Sequence, residues 1–158
     1  GARHVQKVHP YRVNAFSSGD AGPLGWVEES VVRWACNSPV VPVKNAVGAM
    51  NNIVSAATWP WVEIVMNHAG ASGRAVDALV REGVQGLVVA CTGNGTIHHD
   101  LEAALVRAQN AAGVRVVRST RCAEGQVLPK PGDVLPASQG LSPVKARVAL
   151  MLDLLRMH

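Results

Sequence analysis

The second half of the chain alternates short apolar runs with longer segments of helical periodicity. Residues 62–67, 87–90 and 114–117 are rich in β-branched residues and predict three short buried strands. Strands that are apolar on both faces are typical of a parallel sheet covered by helices. The pattern therefore predicts a sheet whose strands are joined by helical crossovers.

Helical spacing predicts the crossovers and a final helix. Ser72 is expected to cap the first helix and Gly83 to follow its end, while Gly113 stops the second. The last helix is expected to begin with Ser142 as cap and Pro143 in the first turn, where a missing N–H costs nothing. Its predicted core-facing stripe is Val144, Val148, Met151, Leu152 and Leu155.

The order strand–helix–strand–helix–strand–loop–helix predicts an α/β fold class. We expect a small, three-layer domain with a parallel sheet from about residue 59 onward. Residues 135–138 could add a short fourth strand.

The first part of the chain has a less regular pattern. Residues 5–13 alternate loosely and predict an extended strand, and residues 26–34 predict a hairpin. Residues 37–58 contain few charges and no sustained period, so we interpret them as a linker, with a brief helix around residues 45–57. The first part is expected to be a strand and hairpin remnant of a larger domain.

Composition narrows the classes of function. The chain has 158 residues, 48% hydrophobic and 16% charged, which suits a globular domain and excludes a disordered chain. No apolar stretch of about 20 residues exists, so no membrane helix is expected. The net charge of +4 is scattered and only one Phe and one Tyr are present, so we expect no nucleic-acid partner.

The cysteines bear on the compartment. Cys36, Cys91 and Cys122 form neither a CxxC motif nor a disulfide framework, which favours reduced thiols and a cytoplasmic location. The chain begins with Gly1, so we expect an upstream part to be missing, and the periplasm is the alternative location.

Three loops are expected at the carboxyl edge of the sheet, where open parallel sheets bind ligands. They are residues 67–72, 91–99 and 119–125, which are rich in small and polar side chains typical of anion sites and of ordinary turns. The turn at residues 92–95 lacks the third glycine of a dinucleotide motif. His98, His99 and the cysteines fit no usual zinc spacing, so we predict no metal and no cofactor.

Several blocks of the chain resemble one known family. They are residues 2–7 (ARHVQK), 16–18 with 22–25 (FSS, GPLG), 83–90 (GVQGLVVA), 92–95 (TGNG), 116–121 (VVRSTR) and 141–147 (LSPVKAR). In this order they are similar to the C-terminal part of bacterial-type L-asparaginases. The resemblance covers nearly the whole chain.

The resemblance implies an amidohydrolase that converts L-asparagine to L-aspartate and ammonia. The family uses a threonine nucleophile in its amino-terminal domain, and the T-G-G-T and T-D motifs of that domain are absent here. It implies that residues 1–36 end the large domain, residues 37–58 link, and residues 59–158 form the small C-terminal domain. We therefore expect no catalytic residue in this chain, no activity of the chain alone, and a fragment, truncated product or split enzyme.

The resemblance also implies a homodimer or homotetramer in which the small domain contributes to a neighbour's active site. The contributing residues would be Asn67, Gly70 and Ser72, with Gly70 where the family often has Asn or Asp. Thr92, Gly93, Asn94 and Gly95 would form a structural turn nearby. The expected partners are other copies, the missing amino-terminal half and L-asparagine; the alternative is a non-catalytic dimerisation or small-ligand-binding α/β module.

Overall fold

A computed structural model describes residues 3–35 and 58–157. These residues form two compact units, one within residues 3–35 and one within residues 58–157. Nearly all of the predicted linker, its brief helix around residues 45–57, and Cys36 lie outside the described residues.

The first unit is built from two small antiparallel pairs. Strand β1 (Gln6–Lys7) pairs with β2 (Phe16–Ser17), and β3 (Gly25–Glu28) pairs with β4 (Val31–Trp34). A short 3₁₀ turn at Gly19–Ala21 lies between the two pairs. The predicted hairpin is confirmed, whereas the predicted strand at residues 5–13 is reduced to two residues.

The second unit contains a parallel sheet of three strands. They are β5 (Val62–Met66), β6 (Gly86–Cys91) and β7 (Arg115–Thr120), in the order β5-β6-β7. Every residue of the central strand β6 is buried, which explains its uninterrupted apolar sequence.

Three helices cover the sheet. Helices α1 (Arg74–Arg81) and α2 (His99–Ala112) pack with one core, and α3 (Pro143–Leu155) packs with the other. Successive side chains of a strand point to opposite faces, so Leu87 and Val89 join the α1–α2 core while Val88 joins the α3 core. The predicted three-layer α/β fold is confirmed. No helix among the described residues has the length and apolarity to cross a membrane.

The predicted core stripe of α3 is wrong except at Met151, which is partly buried and packs against the core. The helix buries Ala146, Leu150 and Leu154, while Val144 and Val148 are exposed. The Leu150 side chain lies over Gly86, where an added Cβ would come within 2.9 Å of Leu150 Cδ2. Both faces of the helix carry apolar residues. The face that contains Leu150 packs against the sheet at Gly86, where the absence of a side chain leaves room for it.

Two smaller predictions also need correction. Gly73, not Ser72, occupies the cap position of α1. A side chain at residue 73 would put its Cβ 2.5 Å from the Ala104 Cβ of α2, so the position requires glycine. The predicted strand at residues 135–138 is a single parallel bridge between Arg118 and Ala137. Pro136 has no N–H to donate, which limits pairing there.

Candidate functional site

The structure brings residues of all three predicted loops together at the carboxyl edge of the sheet. Asn67, which follows β5, donates from Nδ2 to the Thr96 carbonyl of the next loop at 3.1 Å. Arg121, which follows β7, donates from Nη1 to the Asn67 carbonyl at 3.2 Å. This edge is therefore the candidate site.

The loop after β5 is an exposed arch with two buried ends. Asn67 and Ala71 are 4% and 2% exposed, whereas His68, Gly70 and Ser72 are exposed. The Ala71 N–H donates to the His68 carbonyl at 3.1 Å and closes a four-residue turn. The arch is thus fixed at both ends and presents its middle to solvent.

Gly70 adopts a left-handed backbone conformation as the third residue of that turn, with φ of +72°. Turns with positive φ at this position favour Gly or Asn, and Asn and Asp are the other residues that visit this region most readily. A Cβ at Gly70 would meet nothing within 4 Å. The position could therefore hold a small polar side chain that points away from the domain.

Asn67 is hydrogen-bonded through both ends of its side-chain amide. Its Oδ1 accepts from the His98 N–H at 2.7 Å, and its Nδ2 donates to Thr92 Oγ1 at 3.3 Å as well as to Thr96. Its backbone N–H donates to the Ala90 carbonyl at 3.0 Å. The side chain ties the loop after β5 to the loop after β6.

The turn at residues 92–95 is tightly closed. Thr92 and Thr96 exchange two backbone hydrogen bonds, and the Thr92 hydroxyl also donates to the Thr96 carbonyl. Gly95 has φ of +83°, and a Cβ there would lie 2.7 Å from Val127 Cγ1. Asn94 Oδ1 accepts from the Leu128 N–H at 2.7 Å. The turn therefore supports the segment that follows β7.

Arg118 also holds the segment that follows β7. It is 8% exposed, donates from Nε to the Leu135 carbonyl at 2.9 Å, and forms an ion pair with Asp133. The hydrogen bond from Arg118 lowers the pKa of Asp133 below its ordinary value. Sequence analysis missed this pair, since neither member lies in a predicted element.

His98, His99 and Asp100 lie close together at the start of α2. Their potential ligand atoms are within 4.8 Å of one another, and the two imidazole rings stack at 4.2 Å. His98 Nδ1 accepts from the Asp100 N–H at 3.3 Å, so this histidine caps the helix. His is not among the residues preferred at a helix N-cap.

The two described cysteines have different environments. Cys91 is buried, and burial raises the pKa of its thiol to about 11. A thiol that stays protonated is a poor nucleophile. Cys122 is exposed, and its N–H donates to the Thr120 hydroxyl at 3.1 Å.

Comparison with known proteins identifies relatives of the chain. A family model described as "Glutaminase/Asparaginase C-terminal domain" matches residues 61–157. The chain is 32% identical over 159 residues to L-asparaginase 2 of Bacillus subtilis, covering 97% of this chain and 40% of the relative. It is 35% identical over 163 residues to the probable periplasmic L-asparaginase of Haemophilus influenzae, covering 98% and 44%.

A solved structure gives the same result. The crystal structure of a probable cytoplasmic L-asparaginase from Campylobacter jejuni matches with a TM-score of 0.81 and 36% identity. The match covers 97% of this chain and 47% of that one. The chain spans less than half the length of each of these three relatives.

Proposed function

Because the chain belongs to the glutaminase/asparaginase family, whose C-terminal domain it contains, we propose that it is part of an amidohydrolase acting on L-asparagine. The reaction releases L-aspartate and ammonia, and its threonine nucleophile lies outside these 158 residues. The observation that carries the proposal is the match over 97% of this chain to an L-asparaginase structure at a TM-score of 0.81.

We also propose a division of the chain into domains. In this division, residues 59–158 form the small C-terminal domain and residues 1–36 are the end of the large domain. Residues 37–58 link the two domains. The family match begins at residue 61, close to this proposed boundary. The separate compact unit within residues 3–35 also supports it.

We assign the chain a supporting role in catalysis. The loop of residues 67–72 is proposed to reach the active site of a neighbouring copy, with Gly70 and Ser72 on its exposed arch. Thr92, Gly93, Asn94 and Gly95 form the turn that supports this loop. The partners would be other copies of the chain, in a homodimer or homotetramer, and the amino-terminal half of the enzyme.

The chemistry proposed for the complete enzyme uses a hydroxyl nucleophile activated by neighbouring protein groups. It requires no cofactor. The Thr92 hydroxyl donates to the Thr96 carbonyl, so this edge threonine is engaged in holding the turn.

Complementation tests the proposal. The 158-residue chain would be co-expressed with the amino-terminal part of B. subtilis L-asparaginase 2 that it does not span, and ammonia release from L-asparagine would be measured. We expect activity from the pair and none from either part alone. Activity of the pure chain alone would refute the missing nucleophile, and stable association without activity would favour the non-catalytic module.

We propose the cytoplasm as the location. Cys91 and Cys122 are both free thiols, which suits a reducing compartment. The relatives include proteins named for the periplasm and for the cytoplasm. Fractionation of the source cells with an antibody to this chain would decide between them.

A further inference from the structure

Asn67 lies at the meeting point of three chain segments. Its side chain bonds to the loop after β6 at three places, and its carbonyl accepts from Arg121 after β7. It is also the first residue of the proposed substrate-contacting loop. A single residue therefore connects that loop to both neighbouring strand ends.

The orientation of the Asn67 amide is fixed by its partners. The His98 N–H can only donate, so it must face Oδ1, and the Thr96 carbonyl can only accept, so it must face Nδ2. Both amide hydrogens have acceptors, since Thr92 Oγ1 lies 3.3 Å from Nδ2. Asn67 therefore has little remaining capacity to bind a ligand.

Burial leads to the same conclusion. Asn67 is 4% exposed, whereas His68 and Gly70 next to it are exposed. Removing one partner of a buried amide leaves the others unsatisfied, which costs more than the bond itself contributes. The side chain is placed to hold the arch and not to reach beyond it.

We propose that Asn67 is a positioning residue that fixes the arch of residues 68–70 against the Thr92–Thr96 turn and Arg121, and that it does not itself contact substrate. This rests on the proposed function, in which the arch completes a neighbour's pocket. Asn67 anchors one end of the arch, and the buried Ala71 anchors the other. Loss of the Asn67 amide frees one end while the core holding Ala71 remains.

Hydrogen exchange on the chain itself tests the anchoring. Asn67→Ala should speed exchange of the His98 and Ala71 amides by about tenfold or more, since the local opening becomes easier. The amides of β6 should stay within about twofold of wild type. The matched control is Asn110→Ala, which truncates an exposed asparagine of α2 and should alter neither set.

Asn67→Asp separates the two ends of the amide. The carboxylate keeps an acceptor for the His98 N–H but loses both donors and faces the Thr96 carbonyl. We expect His98 to stay protected while Ala71 exchanges faster. Unchanged Ala71 exchange in both variants would overturn the proposal, and so would equal acceleration in β6, which would indicate general destabilisation.

Kinetics of the complemented enzyme test the consequence for substrate. Asn67→Ala should raise KM for L-asparagine by about tenfold and leave kcat within about twofold, because a displaced contact weakens binding. A lowered kcat with unchanged KM, or no change in either, would overturn the positioning role. If the wild-type pair is inactive, the proposed function fails, and the exchange experiment still decides whether Asn67 anchors the arch.

Discussion

The two compact units use similar apolar residues in opposite ways. Within residues 3–35 the only buried apolar side chain is Ala15, while Trp26 and Trp34 are 52% and 69% exposed. Within residues 58–157 the sheet separates two cores, and β6 is buried along its whole length. The α/β unit buries its apolar side chains in its own cores, whereas the first unit leaves its largest apolar side chains exposed.

Both tryptophans line a largely apolar groove in the first unit. Its cavity volume is about 450 Å³, and it is lined by Val5, Ser18, Leu24, Gly25, Trp26, Val27, Val32 and Trp34. Contiguous exposed apolar patches mark interaction sites or ligand-binding grooves. The proposed assignment of this unit to the end of a larger domain accounts for the groove, since relatives are more than twice as long.

The largest expected effect distinguishes a covered leucine from an uncovered one. Leu150→Ala should destabilise the α/β unit by about 2–4 kcal/mol, because it removes a buried side chain that packs on Gly86. Leu24→Ala, at a residue 42% exposed, should change stability by less than about 1 kcal/mol. Urea unfolding followed by circular dichroism, which detects the helices of the α/β unit, measures the first effect. Hydrogen exchange of the β3 and β4 amides measures the second.

Equal effects of the two leucine substitutions would contradict the comparison. They would mean that the first unit is covered in solution by part of the chain or by another copy. Sedimentation velocity on the same samples would then separate an internal contact from self-association.

Sequence pattern predicted the sheet of the second unit well. Short β-branched runs separated by helical segments predict the strands of a parallel sheet. The predicted run at residues 87–90 lies within β6, whose six residues are all buried. The phase of α3 could not be predicted, because Val144, Val148 and Leu155 are as apolar as the buried Leu150. Which face packs is decided by the space over Gly86, which only the folded sheet defines.

The candidate site was predictable in place but not in role. The carboxyl edge follows from the parallel topology, and the loops there could be found from sequence. The tie from Asn67 to His98 spans 31 residues along the chain and depends on tertiary structure. Sequence pattern therefore located Asn67, while its hydrogen bonds indicate what it does.

A second test separates the cost of placing a side chain at a crowded glycine from the cost of the positive φ alone. Gly95→Ala combines a positive φ with a 2.7 Å approach to Val127, so we expect a loss of roughly 2–4 kcal/mol. Gly93→Ala, which has a positive φ but open space, should cost only about 1–2 kcal/mol. Urea midpoints of the two variants give the difference, and indistinguishable values would argue against tight packing at Val127.

A third test compares the ion pairs of the two units. The Arg118–Asp133 pair is 10% and 23% exposed, whereas the Arg33–Glu28 pair is 70% and 53% exposed. Asp133 has a lowered pKa in the folded state, so its stabilising contribution is present above the ordinary pKa of 3.8 and is lost as pH falls through the lowered folded value. Asp133→Asn should reduce stability at pH 7. It should also make the loss of stability in acid smaller than in the wild-type chain.

The control for the third test is Glu28→Gln, at the exposed pair. Such pairs contribute little to stability, so this variant should retain the wild-type pH profile. Chemical unfolding between pH 7 and pH 2.5 gives both profiles. A pH profile unaltered by Asp133→Asn would show that the pair with Arg118 does not stabilise the fold.

The smallest expected effect on the α/β unit concerns the uncovered tryptophans. Trp34→Ser removes an exposed indole, so the unfolding free energy of the α/β unit should change by less than about 0.5 kcal/mol. Self-association should decrease, since the substitution shrinks an exposed apolar surface.

The backbone amides of β3 and β4 should exchange rapidly in the monomer, because two short strands without a core are marginally stable. Strong exchange protection there in a confirmed monomer would contradict the view that this unit depends on a missing partner.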